Sequence, residues 1–436
     1  MAADGPTTAT AASRIAVVGA GWAGLAAAVE ATVRGHAVTV FEMAPQVGGR
    51  ARSVSTGDGP LDNGQHILIG AYADCLRLMA KVGVDAASVL QRRPLSLVDP
   101  EGRGLRLGHG PALTAFVRAV LARRGWRWSE RIALLVGAAG WAARGFRCDP
   151  RLTVAGLTAR LPRAVREGLV DPLCVAALNT PAAAASASVF LRVLRDALFT
   201  APGSADLLLP RAPLDDLFPR PAQAWLRANG ATLHLSSRVD AIVAEGSGWS
   251  IAGTRFDAVV LAASAVEAAR LTLPHDAAWS RRTEAFGYEP IVTVYARCDG
   301  ARLPEPMLML PSDDDALPAQ FVFDHGRLDG PPGRLAFVVS GAAPWVARGT
   351  AAVTEATLAQ ARRQLAAHLP SPLVGLRTLT EKRATFRCVP GLDRPGTLVR
   401  PGLVAAGDFV DGPYPATLEG AVRSGLAAVD RLGQRA

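Results

Sequence analysis

The first pattern in the chain that could do chemistry is a cluster of glycines near its start, Gly19-Ala20-Gly21-Trp22-Ala23-Gly24. At this spacing Gly19 allows a tight turn, Gly21 lets the backbone approach a pyrophosphate, and Gly24 lets the following helix lie close to the preceding strand. A helix opening there aims its N-terminal amides at the phosphates. Glu42 lies eighteen residues beyond Gly24, where a carboxylate accepts hydrogen bonds from an adenosine ribose. A 2′-phosphate would be repelled there, so the pattern predicts a dinucleotide site that disfavours NADP.

Two further segments decide between NAD and FAD. Directly after Glu42 come Gly48 and Gly49, suited to a second close backbone approach, with Arg50 as a fixed cation beside the diphosphate. The run then continues through Leu61-Asp62-Asn63-Gly64-Gln65-His66. Near the other end a short apolar strand, 402–406, leads into Gly407-Asp408, and a helix opens at Thr417-Leu418. Its amides suit the electron-rich edge of a reduced flavin, and Asp408 suits ribityl hydroxyls. FAD is the cofactor these segments imply. The stretch Asp411–Pro415 holds no cysteine or histidine for a covalent link, so the expectation is non-covalent FAD. No Ser/His/Asp order, HExxH or metal cluster emerges, and five cysteines far apart signal neither a disulfide framework nor zinc.

These residues need a scaffold, and the sequence supplies a βαβ unit around the first glycines. Arg14–Val18 reads as a buried parallel strand, 25–34 as an alanine-rich helix stopped by Gly35, and Ala37–Phe41 as a second strand. Strands at 232–236, 239–244, 249–251 and 256–261 are expected to return the chain to the same layer. The fold class is therefore α/β, with a discontinuous cofactor domain over 14–91, 205–268 and 388–436. The inserts 92–204 and 269–387 would make an α+β substrate domain. The first reads as mainly helical; the second as strands at 291–296, 307–310, 320–323 and 335–340 with a helix over 351–369.

Half of the 436 residues are hydrophobic, ample for more than one core. The net charge of +9 is almost all arginine, since Lys81 and Lys382 are the two lysines. Those arginines are dispersed and no nucleic-acid module appears, so no nucleic-acid partner is expected. Residues 1–13 read as a disordered leader without signal-peptide character. The longest apolar stretch, Ile132–Ala143, is too short for a spanning helix of roughly 20 residues. A cytoplasmic chain is the expectation.

The three glycine-bearing segments resemble the amine oxidase and phytoene desaturase superfamily of FAD enzymes. Within it, Leu61–His66, Asp171–Thr180, Arg383–Phe386 and Tyr414–Gly425 resemble the hydroxysqualene dehydroxylase family of bacterial hopanoid pathways. The resemblance implies a Rossmann-like FAD-binding domain of the glutathione-reductase and amine-oxidase type, Asn63 and Gly64 beside the flavin, and Val239 near the adenine. It also implies a polyprenyl substrate, hydroxysqualene, whose allylic hydroxyl is replaced by hydrogen from reduced flavin N5. His66 and Tyr414 are the candidate general acids. The electron donor is not indicated. A desaturase or amine oxidase running in the oxidative direction is the alternative, as is a non-catalytic flavin-binding lipid carrier. Because a polyprenyl substrate lives in a bilayer, membrane-surface contact is expected on the inner face. Arg118, Arg123, Arg124, Arg127 and Arg131 around Trp126 and Trp128 make an interfacial pattern.

Overall fold

Apolar runs that are buried on both faces form parallel sheets, and the strand Arg14–Val18 is such a run. It sits in the middle of a six-stranded sheet in the computed structural model, which describes residues 12–57, 59–198, 201–313 and 315–434. Residues 1–11, most of the expected leader, lie outside the described residues, as do Phe199 and Thr200 at the end of the first insert. The strand order is Thr232–His234, Ala37–Phe41, Arg14–Val18, Ala258–Leu261, Leu403–Ala405 and Leu398–Arg400. All neighbours are parallel except the last pair, which is antiparallel. The helices Trp22–Val33 and Leu418–Gly433 cover one another so closely that a Cβ on Gly425 would stand 2.3 Å from the Ala23 carbonyl oxygen.

A second sheet is antiparallel, in the order Met307–Met309, Phe321–Asp324, Arg334–Val339, Tyr288–Arg297 and Val374–Phe386. The helix Thr350–Gln364 packs its buried Val353 and Ala361 into the same cluster as Leu335, Phe337 and Val339. A helical layer that includes Ala112–Ala122, Trp128–Ala143, Asp171–Leu178 and Ala187–Leu198 shares a core with one face of this sheet, through Phe116, Leu134, Phe190, Tyr295, Phe321 and Phe323. Asn179 ties it down. This residue ends its helix in the left-handed region, at φ 46°, and its buried amide serves three elements. Nδ2 donates to the Glu289 carbonyl at 3.2 Å and to Thr385 Oγ1 at 3.0 Å, while Oδ1 accepts from the Gly341 N–H at 2.7 Å.

Several expected boundaries move. Of the expected strand at 239–244 only Val243 and Ala244 are strand, within Val243–Glu245, which belongs to a separate three-stranded meander with Gly248–Ile251 and Thr254–Phe256. The expected strand 256–261 is broken at Asp257, because Phe256 closes the meander whereas Ala258 starts the parallel ladder. The strand at 232–236 stops at His234, with Ser236 at φ 51°. The mainly helical first insert begins with a hairpin, Ser96–Val98 with Gly104–Arg106. The helix over 351–369 ends at Gln364.

The helix carrying the first glycines fixes one prediction. A Cβ on Gly24 would lie 1.9 Å from the Gly19 carbonyl oxygen, inside any permitted contact. Gly24→Ala should destabilise the chain by about 1–3 kcal/mol, the range for overpacking without room to relax. Chemical denaturation with flavin fluorescence as a second probe checks this; an unchanged midpoint would mean that Gly24 does not lie against the Gly19 carbonyl.

Candidate active site

The two glycine turns meet main chain to main chain. Gly48 donates to the Ala20 carbonyl at 2.9 Å, a β-bridge joins Gly21 to Gly48, and a Cβ on Gly49 would be 3.1 Å from the Gly21 Cα. Gly19, at φ 106°, donates to the Phe41 carbonyl at 2.7 Å, and any side chain there would strike the Ala262 carbonyl. Trp22 finds its place under the second turn, where Nε1 donates to the Ala51 carbonyl at 3.2 Å and the ring packs on Phe218. Glu42 accepts the Ala20 N–H at 2.7 Å through Oε2 and the Ala44 N–H at 2.8 Å through Oε1. One lone pair on each oxygen is left to receive a ribose hydroxyl.

Arg50 reaches across the site. Its Nη2 pairs with Asp408 at 2.6 Å and its Nη1 donates to the Ala384 carbonyl at 2.8 Å. Burial works against its charge, but the Asp408 carboxylate outweighs this and holds the guanidinium above its ordinary value. Asn63 donates to the Arg50 carbonyl at 3.0 Å and to Glu381 at 3.1 Å, and Gly64, at φ 96°, turns the chain so that His66 folds back over it. Gly407 donates to Ser424 Oγ at 3.0 Å. Thr417 caps the helix Leu418–Gly433 by accepting the Gly420 N–H at 3.0 Å. Glu419, fully buried, accepts the N–H groups of Asp74 and Cys75 and so caps the helix Ala73–Lys81.

Gly19, Gly21, Glu42, Gly48, Gly49, Arg50, Asn63, Gly64, Gly407, Asp408, Thr417 and Leu418 line one cavity of about 710 Å³, together with Val239, His66 and Tyr414, whereas Gly24 and Glu419 do not. Glu42, Ser237 and Val239 mark one region of its wall, and Arg50, Asn63, Asp408 and Thr417 another. Much of the remaining wall is hydrocarbon: Leu173, Phe190 and Leu194 from the helical layer, with Ile291, Phe321 and Leu379 from the antiparallel sheet. The glycine surfaces that a Cβ would fill, and the free lone pairs of Glu42, fit an adenosine diphosphate. The Arg50–Asp408 pair, its carboxylate buried and its guanidinium half-exposed, and the capped helix end fit a flavin.

Burial lowers the His66 imidazole to about 4, with nearby Arg50 pushing the same way against a hydrogen bond to the Asn63 backbone. At neutral pH it is uncharged, and a neutral imidazole is a weak acid. Tyr414 donates to Asp196 at 2.9 Å, and burial with that bond raises its hydroxyl above the ordinary value. Asp196 also receives Arg192 and Arg195. Sequence reasoning passed over Asp196 and Glu381, both on the cavity wall. Asp196 sits on an amphipathic helix amid arginines, where a carboxylate looks like a solvated face. Glu381 sits in the unexpected strand Val374–Phe386, whose alternation places Leu379 and Glu381 on the cavity side. Arg387 is paired with Glu289 at 2.9 Å. Asp62 is scaffold: it accepts from Ser53 and the Leu214 N–H, and burial lifts it to about 6. Trp126, expected at an interface, is 8% exposed and stacked on Arg123.

Known proteins are similar to this chain in sequence and fold. The family described as flavin containing amine oxidoreductase matches residues 22–433. Hydroxysqualene dehydroxylase from Rhodopseudomonas palustris is 28% identical over 443 residues, covering 95% of this chain and 97% of its own. Zeta-carotene desaturase from Synechocystis sp. is 38% identical, but over 91 residues, 21% of this chain and 19% of its own. Among solved structures, an oxidoreductase from Methanosarcina mazei superposes with a TM-score of 0.74 at 17% identity, covering 96% of this chain and all of that one. That likeness bears on the fold.

Two predictions follow from the polar contacts. Glu42→Ala removes both ribose acceptors and strands the Ala20 N–H, and should weaken FAD binding by about 1–3 kcal/mol in a fluorescence titration. For His66, the folded-state value near 4 lies below the ordinary 6.5. Between these values the unfolded chain binds a proton that the folded chain does not, so wild-type stability is lost as pH falls from about 6.5. Relative to wild type, His66→Gln should have an unchanged melting temperature above pH 6.5 and gain on it progressively toward pH 4. A gap that opens above pH 6.5 instead would show a charged imidazole.

Proposed function

The chain belongs to the flavin containing amine oxidoreductase family and is an FAD-dependent oxidoreductase, and from that premise we propose that it reduces hydroxysqualene to squalene. The observation that carries this reading is the lining of the large cavity, where the cofactor-binding groups share one space with a mostly hydrocarbon wall suited to an apolar substrate. Full-length similarity to hydroxysqualene dehydroxylase supports it, whereas the zeta-carotene desaturase likeness covers about a fifth of the chain.

When bound and reduced, FAD supplies a hydride at the flavin ring. The chain's own residues do the rest. Arg50, fixed by Asp408 and the Ala384 carbonyl, holds positive charge where the cofactor is electron-rich. The amides at the start of the Leu418–Gly433 helix act in the same sense. Leu173, Phe190 and Phe321 keep water from an allylic carbon that has lost its hydroxyl. The departing hydroxyl leaves as water with a proton drawn from solvent. His66, uncharged at neutral pH, orients that hydroxyl by hydrogen bonding, and Tyr414, whose proton is committed to Asp196, closes the same wall. A polyprenyl substrate partitions into lipid, so the enzyme works at the cytoplasmic membrane face without spanning it. Among the described residues no helix is long and apolar enough to cross a membrane.

The test is anaerobic. Holoenzyme reduced chemically and mixed with hydroxysqualene should return oxidised flavin and one squalene per flavin. Denaturation of the same protein should release free FAD, as non-covalent binding requires. Reoxidation without squalene would sink the reading, and oxidised enzyme that desaturates a hydrocarbon would favour the desaturase direction.

A further inference from the structure

The helix Trp128–Ala143 is apolar on both its faces, which is the character of a helix buried on all sides, yet one face is open. Its inner face is buried through Leu134 and Trp141. Its outer face presents Trp128, Ile132 and Val136, at one-turn spacing and 64%, 54% and 65% exposed. Leu113 and Leu121 of the partner helix Ala112–Ala122 are exposed too, so five of the exposed large hydrophobics cluster on this hairpin. Charge is distributed to match. Residues 112–147 carry seven arginines and one glutamate, and Arg118, Arg124 and Arg127 are exposed at the hairpin. Arg131 lies 4.7 Å over the Trp128 ring and donates to the Leu121 and Arg123 carbonyls, locking the hairpin and its tryptophan in place. Exposed apolar groups ringed by arginines are complementary to an anionic lipid surface, where the rings enter the acyl boundary and the guanidinium groups meet phosphates.

The inner face of the same helix leads to the active site. Leu134, Ala138 and Trp141 line a small pocket of about 40 Å³ with wholly apolar walls. Leu95, Leu97, Leu173, Phe190, Leu194 and Leu198 line both this pocket and the large cavity. A second protein would have no use for a hydrocarbon seam beneath its docking face; a bilayer delivering an apolar substrate would.

We infer that the hairpin Ala112–Ala143 is the surface by which the enzyme sits on an anionic phospholipid bilayer, with Trp128, Ile132 and Val136 inserted. The inference rests on the polyprenyl reading above. It replaces the expectation for Trp126, which packs inward, with a stripe on the opposite side of the turn.

The experiment uses FAD-loaded protein and vesicles of phosphatidylcholine with or without phosphatidylglycerol. Wild type should sediment with phosphatidylglycerol vesicles and bind the zwitterionic ones at least about tenfold less. The variant Trp128→Ser/Ile132→Ser/Val136→Ser should lose about tenfold or more in vesicle binding while keeping its flavin and its turnover of detergent-dispersed hydroxysqualene. The control Val243→Ser/Val374→Ser, which removes exposed apolar groups elsewhere, should bind as wild type does. Equal vesicle binding by wild type and the triple variant would overturn the inference. So would a wild type that ignores both vesicles but forms a dimer the triple variant splits, which would assign the face to a second copy of the chain. If no protein turns over hydroxysqualene in detergent, the proposed substrate fails, whereas vesicle binding still decides the docking surface.

Discussion

Two stretches of main chain touch with no side chain between them, and the cofactor side of the molecule depends on that contact. The turn at Gly19–Gly24 lies against the turn at Gly48–Gly49, where a Cβ on Gly49 would press on the Gly21 Cα at 3.1 Å. The contact brings two sets of backbone N–H groups to one place and lets the Trp22–Val33 helix start at the strand end. It also draws Arg50 into line with Asp408, more than three hundred residues away in sequence. The sheet order follows from the same need, since Arg14–Val18 must be flanked by Ala37–Phe41, which delivers Glu42, and by Ala258–Leu261, whose following turn abuts Gly19.

The cofactor side was legible in the sequence because its requirements are local. A glycine that must not carry a Cβ, a strand buried on both faces and a carboxylate at a set distance each leave a mark within a short window. The antiparallel sheet was half legible. Its central strands, such as Arg334–Val339, are buried along their whole length, whereas the edge strand Val374–Phe386 is polar enough to hide. Edge strands face partner chain on one side alone, so charged residues are tolerated and the apolar signal fades. The strand at 239–244 misled for the opposite reason: Val239 and Ile242 are buried apolar residues in a loop, held by Arg270 donating to the Val239 carbonyl. Glu381 and Asp196 could not be found because their significance is which face they turn to the cavity, and that is set by partners far along the chain.

The polar groups of the site are already engaged with one another before any ligand is considered. Glu42 holds two backbone N–H groups, Asp408 holds Arg50, Asn63 joins Arg50 to Glu381, and Asp196 holds Tyr414 and two arginines. Each of these bonds fixes a direction for the remaining lone pair or proton, which is how a site in a low-dielectric wall is made rigid without empty charges. His66 is the exception in kind, an ionisable group kept neutral by its surroundings.

A cavity of about 710 Å³ through the centre of the chain is also a statement about how the protein survives in a cell. Atoms that would otherwise pack against neighbours face that space, so the cofactor that fills it completes the core. Saturation at a hundredfold above the dissociation constant contributes about 2.7 kcal/mol, against typical stabilities of about 5–15 kcal/mol. Newly synthesised chain therefore competes with proteases on terms set by the flavin pool. Cofactor occupancy thus enters the stability of the chain as well as its chemistry.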